Sequence, residues 1–179
     1  MDRIEETIAE WVAEYRLPSG AMVRFRHVQP EDEALISEAI RTASRETLLH
    51  RFFSPIRNVP PDLLRKMLKI NRSREVCLVG VMESPTATRI ICGVRYVRLD
   101  PDDTAEIALT VHDEFQRCGL GSFLLDLILE TARSDGLRCV EAHVLASNFG
   151  MLKLLRRKLS GIAKWELTGD VYRVVIPLL

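Results

Sequence analysis

The chain has 179 residues, 47% of them hydrophobic, and its 25 Lys and Arg are matched by 25 Asp and Glu. That is enough apolar material for one sizeable core but not two, and a net charge of zero gives no global basic field to attract nucleic acid. No run approaches the roughly 18 apolar residues of a membrane span, and five Asp or Glu precede Tyr15 where a secretory signal would be basic and then apolar, so a cytoplasmic, non-membrane protein is expected.

In chain order, Ile4, Ile8, Trp11, Val12 and Tyr15 recur at helical spacing and predict an amphipathic helix over 1–17, ending before Leu17-Pro18-Ser19-Gly20. Its apolar stripe would land on the flank of the same domain or on a second copy, giving a homodimer. Residues 18–179 are read as one α/β domain. Met22 to Val28 alternates as a strand, and Pro30 with Glu31 and Asp32 opens a helix running to about Ala43. Ser44 to Pro61 reads as a short helix entering a loop, followed by a helix from Asp62 to Ile70. Strand patterns then come at Val76–Met82, Ile90–Leu99 and Thr104–Val111, and three in close succession imply an antiparallel meander.

After Val111 the period changes from two to 3.6. Leu120, Phe123, Leu124, Leu127 and Ile128 form one helical stripe, with Gly136 as its stop. Val140–Leu145 is the next strand, a parallel neighbour of Thr104–Val111 across a βαβ crossover. Ser147 or Asn148 caps a helix to Leu159 that turns Met151, Leu152, Leu154 and Leu155 inward. The strands Ala163–Leu167 and Val171–Ile176 close the chain as a hairpin around Thr168-Gly169-Asp170.

The chemistry concentrates between Ala105 and Ser122. A strand feeds Gln116-Arg117-Cys118-Gly119-Leu120-Gly121-Ser122 directly into a helix start, aiming unpaired backbone N–H groups at one point, as a pyrophosphate requires. Gly119 and Gly121 allow close approach of an anion, and Arg117 adds charge at the rim. A Gly-x-Gly at a helix start is common punctuation by itself, and this one is neither a full GxGxxG nor a P-loop. Glu106 taken alone is an ordinary solvent-facing glutamate alternating with Ile107 and Leu109.

In context, Gln116-x-x-Gly119-x-Gly121 resembles the Q/R-x-x-G-x-G/A signature of the GNAT acetyltransferases, and from Met22 to Ile176 the element order is similar to theirs. The resemblance implies an α/β GNAT fold: a mixed central sheet of about six to seven strands, splayed between the fourth and fifth and flanked by helices. It implies acetyl-CoA as co-substrate, with the pantetheine arm held by the backbone of Leu109, Thr110 and Val111, the pyrophosphate by Gln116 to Ser122, and Asn148 nearby. Leu17-Pro18-Ser19-Gly20, Ser44-Arg45-Glu46, Arg51-Phe52-Phe53-Ser54-Pro55, Ala105-Glu106 and Asn148-x-x-Met151 are similar to the bacterial protein lysine acetyltransferase (Pat) branch, which implies Glu106 as general base and a protein lysine as acceptor. A small amine is the runner-up, and a non-catalytic acyl-CoA sensor the alternative of another class.

Two departures stand out. A tyrosine that in many GNAT enzymes protonates the departing thiolate is matched here by Leu155, and the Gly-Phe that ends the fourth helix appears as Ser160-Gly161-Ile162, slightly displaced. Cys118 could be nucleophilic at a helix N-terminus but occupies a variable motif position. The cysteines, Cys77, Cys92, Cys118 and Cys139, lack CxxC spacing and read as buried free thiols, while His112 and His143 read as packing or surface residues; no metal site is expected. Arg156, Arg157 and Lys158 read as a solvated basic face or a contact for the 3′-phosphate of coenzyme A.

Overall fold

A computed structural model describes residues 10–56, 59–100 and 103–178. They form one eight-stranded sheet from β1 (Trp11–Arg16), β2 (Met22–His27), β3 (Glu75–Glu83), β4 (Thr88–Arg98), β5 (Thr104–Val111), β6 (Cys139–Leu145), β7 (Lys164–Thr168) and β8 (Val171–Pro177), in the spatial order β1-β2-β3-β4-β5-β6-β8-β7. Every neighbouring pair is antiparallel except β5 and β6, which are parallel. The helices are α1 (Glu33–Thr42), α2 (Arg45–Phe52), α3 (Pro61–Leu68), α4 (Leu120–Ser134) and α5 (Phe149–Lys158). The expected meander, βαβ unit, following helix and closing hairpin are all present.

Two apolar layers sandwich the sheet. Leu124, Leu125, Ile128 and Ala132 of α4, with Leu152 and Leu155 of α5, bury one face against Val94, Ile107, Val140 and Ile176. The other face carries Val79, Val81 and Ile90 under Leu64 and Leu68 of α3 and Ile36 and Ile40 of α1. A buried ion pair fixes the entry to α1: the Asp32 carboxylate accepts two guanidinium hydrogen bonds from Arg26 at 2.7 Å and one from the Gln29 N–H at 2.8 Å. Bidentate pairing with a further backbone donor satisfies the carboxylate fully, which is the condition under which a buried charge is tolerated. Among the described residues no helix is long and apolar enough to cross a membrane.

The expected helix over 1–17 is corrected where it can be compared. Trp11 to Arg16 is a strand paired with β2, and the sheet has eight strands because of it; Ile4 and Ile8 lie outside the described residues. Val12, Glu14 and Arg16 are exposed while Trp11, Ala13 and Tyr15 turn inward, a period of two. A β-bulge between Trp11 and Ala13 shifts the register, so that Trp11 packs with the α3 face and Tyr15 with the α4 face. The spacing of Trp11 and Tyr15 mimics one turn of helix for this reason. Leu17 to Gly20 makes the tight turn into β2, with Gly20 at φ +89°. What is described of the segment is therefore spent on pairing with the same chain rather than on a helical dimer contact.

Candidate active site

β5 and β6 separate almost as soon as they meet. Their parallel register covers only Thr104, Ala105 and Glu106, opposite Cys139, Val140 and Glu141. β5 nevertheless stays paired with β4 as far as Val111, and β6 with β8 as far as Leu145. The edges beyond Glu106 thus face each other across an open cleft. Thr104 accepts from the Leu99 N–H and His112 donates to the Ile91 carbonyl, both on the β4 side. By strand alternation the even-numbered residues of β5 spend their backbone groups on β4, and Leu109 and Val111 turn theirs to the cleft. The Val111 carbonyl is taken by the Gln116 side-chain amide at 3.1 Å, which leaves the amides of Leu109 and Val111 available.

Glu106 is the last β5 residue before the fork. Its side chain is half-exposed, and Oε1 lies 3.6 Å from Nδ1 of His143 on β6. Glu141, its direct neighbour across the parallel pair, is buried and receives the Arg173 Nε–H at 2.8 Å. Arg173 pairs with that second carboxylate, so no bare anion stands beside Glu106. At the mouth, His50 near the end of α2 comes within 3.5 Å of Ser147 in the β6–α5 loop. His143 was read from sequence as a packing or surface residue; only the fork places it beside Glu106.

At the other end of the cleft α4 begins without a side-chain cap. Phe123 is the first residue to bond back, to the Gly119 carbonyl at 3.1 Å, so the N–H groups of Leu120, Gly121 and Ser122 point outward unpaired in the first turn. Arg117 and Gly119 take left-handed conformations, φ +60° and +89°, which curl the loop around that turn. Tyr15 of β1 donates a 2.8 Å hydrogen bond to the Cys118 carbonyl, and a Cβ on Gly119 would lie 2.4 Å from the Tyr15 hydroxyl oxygen. A Cβ on Gly121 would meet only Leu154 at 3.6 Å, an ordinary contact, so packing does not explain that glycine.

A second anchor reaches the loop from α2. Asp113 accepts from the Ser44 N–H (2.8 Å), the Ser44 hydroxyl (2.6 Å) and the Thr47 hydroxyl (2.8 Å). Burial alone would raise its pKa, but these donors together outweigh it and hold the carboxyl below its usual value. Gln116 joins the same cluster by donating to the Thr47 hydroxyl at 3.1 Å. Its side chain therefore braces the loop, and its backbone N–H is taken by the Asp113 carbonyl at 3.2 Å.

The remaining sequence candidates fall as follows. The Cys118 thiol donates to the Phe115 carbonyl at 2.8 Å. The Asn148 side-chain oxygen caps α5 by accepting the Met151 N–H at 3.1 Å, which leaves its amide nitrogen for a ligand. Leu155 is fully buried in the core, so no hydroxyl acid stands there. Arg156 stacks on Trp165 and Tyr172, and Lys158 pairs with Asp126 at 2.6 Å, which favours the structural reading of that basic run. His112 is buried with Nε2 at 3.0 Å from the Thr42 hydroxyl. All four cysteines are free, and burial pushes the thiols of Cys77 and Cys92 up.

An open strand edge leading to an uncapped helix N-terminus suits a long ligand with amides along its length and phosphates at one end. Comparison with known proteins agrees. The chain is 30% identical over 163 residues to the acetyltransferase Pat of Mycolicibacterium smegmatis, a match covering 87% of this chain and 48% of that protein, so the chain spans about half the length of this relative. It is 26% identical over 138 residues to the acetyltransferase PA5475 of Pseudomonas aeruginosa, covering 77% of this chain and 74% of that one. The crystal structure of the GNAT domain of S. lividans PAT superposes with a TM-score of 0.81 at 26% identity, covering 93% of this chain and 96% of that domain. Residues 39–160 match the model of the acetyltransferase (GNAT) family, and the chain belongs to that family, whose acyl donor is acetyl-CoA.

Proposed function

We propose that the chain moves an acetyl group from acetyl-CoA to a primary amine, a lysine side chain of a protein, by direct attack with Glu106 as general base. The observation that carries this is the place of Glu106: its carboxylate stands where β5 and β6 part, at one end of the cleft whose other end is the bare N-terminus of α4. The amides of Leu120, Gly121 and Ser122 would hold the pyrophosphate, and the cleft edge of β5 the pantetheine arm. The donor supplies an activated thioester.

A lysine amine with a pKa near 10.4 is neutral in only about one molecule in a few thousand at pH 7, so it needs a proton acceptor at the point of attack. Glu106 accepts that proton, and His143 beside it can pass it on to solvent. The Leu109 N–H, turned to the cleft, stabilises the oxygen of the carbonyl under attack. A thiolate with a pKa of about 8.5 leaves readily beside an amine of about 10.4, so water can protonate it and a leucine at 155 is tolerated. Likeness to chains named Pat over most of this sequence supports lysine over a small amine as acceptor. Four free thiols suit a reducing, cytoplasmic setting.

Incubation with labelled acetyl-CoA and a cell lysate tests the reading. Label on protein lysines is expected. Label on small amines alone would move the acceptor to that class, and no transfer with intact coenzyme A binding would make the chain an acyl-CoA-binding regulator.

A further inference from the structure

Behind β5, on the face covered by α1 and α2, lies a cavity of about 140 Å³. Its walls are largely apolar, with Ile40, Leu48, Phe52, Val79 and Ile90 among them. It is nearly the size of the roughly 150 Å³ apolar cavity that holds a benzene molecule, far more than the single methyl of an acetyl group needs.

The walls also carry polar groups without partners. Arg51 lines the cavity and, among the described residues, has no carboxylate paired with it; its guanidinium lies over its neighbour Phe52, 5.5 Å from the ring centroid. Arg95 lines it too, with one end paired to Glu75 while its buried Nε–H has no acceptor. The Thr110 hydroxyl, likewise on the wall, is buried and unpartnered. Burial, the largest influence, pushes the Arg51 pKa below its ordinary value and Arg95 pushes the same way, while Cys77 and Glu106 pull against them. A cation with no paired carboxylate, the spare Nε–H of a second arginine and an idle hydroxyl around an apolar space suit an anion with an apolar stem.

No residue of β6, α5 or the loop between them lines the cavity. It lies behind Ala108 and Thr110, which flank Leu109, on the sheet face that also carries Glu106. We propose that the cavity is an acyl-chain pocket, and that the donors used by this chain include short carboxyacyl thioesters of coenzyme A, such as succinyl-CoA, whose terminal carboxylate meets Arg51 and Arg95. A succinyl tail extends about five heavy atoms beyond the thioester carbonyl, close to what such a volume takes. The transfer balances as with acetyl: the C–S bond breaks, a C–N bond forms, the amine proton passes to Glu106, and coenzyme A leaves as the thiolate, which water protonates. The inference rests on the reading that the cleft holds an acyl-CoA.

Calorimetric titration with coenzyme A, acetyl-CoA, butyryl-CoA and succinyl-CoA decides it without an acceptor. Succinyl-CoA should bind about tenfold or more tighter than acetyl-CoA, and tighter than butyryl-CoA of similar length. Arg51→Met should erase that preference, and Arg51→Lys should keep part of it, with circular dichroism reporting that both fold. Equal affinities for the three thioesters, or a preference that survives Arg51→Met, would overturn the pocket assignment while leaving the coenzyme A site intact. Absence of binding by all four ligands would instead remove the cleft reading, and the pocket with it.

Discussion

The carboxylate of Glu106 and the imidazole of His143 sit 3.6 Å apart on neighbouring strands, on the face of the sheet opposite α4, at the point where those strands diverge. That distance is just beyond a direct hydrogen bond and within reach of one bridging water or a small rotation. His143→Asn should lower turnover by about tenfold, less than loss of the base itself, with acetyl-CoA affinity retained. The diagnostic is the pH–rate profile: a relay or positioning role moves its acid limb, whereas a purely structural role lowers the rate evenly at every pH.

Tyr15, on the edge strand β1, shapes the Gln116 to Ser122 loop through its hydrogen bond to the Cys118 carbonyl. Tyr15→Phe should cost about 0.5–1.5 kcal/mol and weaken coenzyme A binding several-fold. Gly119→Ala should be worse, because it adds a left-handed residue, about 1–2 kcal/mol, to a clash with the Tyr15 hydroxyl. In the Tyr15→Phe background the clashing atom is gone, so the double variant should lose less than the sum of the two single losses. Strict additivity in thermal unfolding would contradict the contact.

Gly121 separates fold from ligand. A Cβ there meets only an ordinary contact with Leu154, and a glutamate places negative charge at a helix N-terminus, which favours the helix. Gly121→Glu should therefore keep or raise the melting temperature while weakening coenzyme A binding tenfold or more by repelling the pyrophosphate. Wild-type affinity in calorimetry would show that the phosphates bind elsewhere.

Asp113 ties α2 to the loop and makes that tie pH-dependent. Its folded pKa is lowered, so the unfolded chain binds more protons between the two values and stability rises with pH through that window. The contribution is complete above the ordinary carboxylate value of about 3.9 and is lost as the pH falls through the lower, folded value. Asp113→Asn should cost about 1–3 kcal/mol at neutral pH and flatten the acid limb of the stability curve. An unchanged acid limb in denaturant titrations across pH 2–6 would contradict the role.

Local pattern made most of the fold legible. α4 was clear because its apolar stripe is long, and the loop before it because a strand, two glycines and a helix start follow in order. β1 was misread because a bulge sends Trp11 and Tyr15 to opposite faces of the sheet at helical spacing. The supports of the site were hidden for a different reason. Tyr15 meets Cys118 across 103 residues, Ser44 meets Asp113 across 69, and His143 meets Glu106 only because two strands adjoin before parting. Such partners depend on topology rather than periodicity. Arg51 belongs on sequence to the Pat-like segment Arg51-Phe52-Phe53-Ser54-Pro55, and the cavity it lines depends on how α2 packs over β4 and β5.

Removal of the attacking amine's proton by Glu106 is read from initial rates of wild type and Glu106→Gln from neutral to alkaline pH. The variant keeps size and hydrogen bonding but loses the proton acceptor. Its turnover near neutral pH should fall by roughly two to four orders of magnitude with acetyl-CoA affinity nearly intact. The deficit should narrow as the pH rises, because more of the amine then arrives already neutral. Matching profiles for the two proteins would contradict the account and leave Glu106 an exposed glutamate at the end of a strand pair.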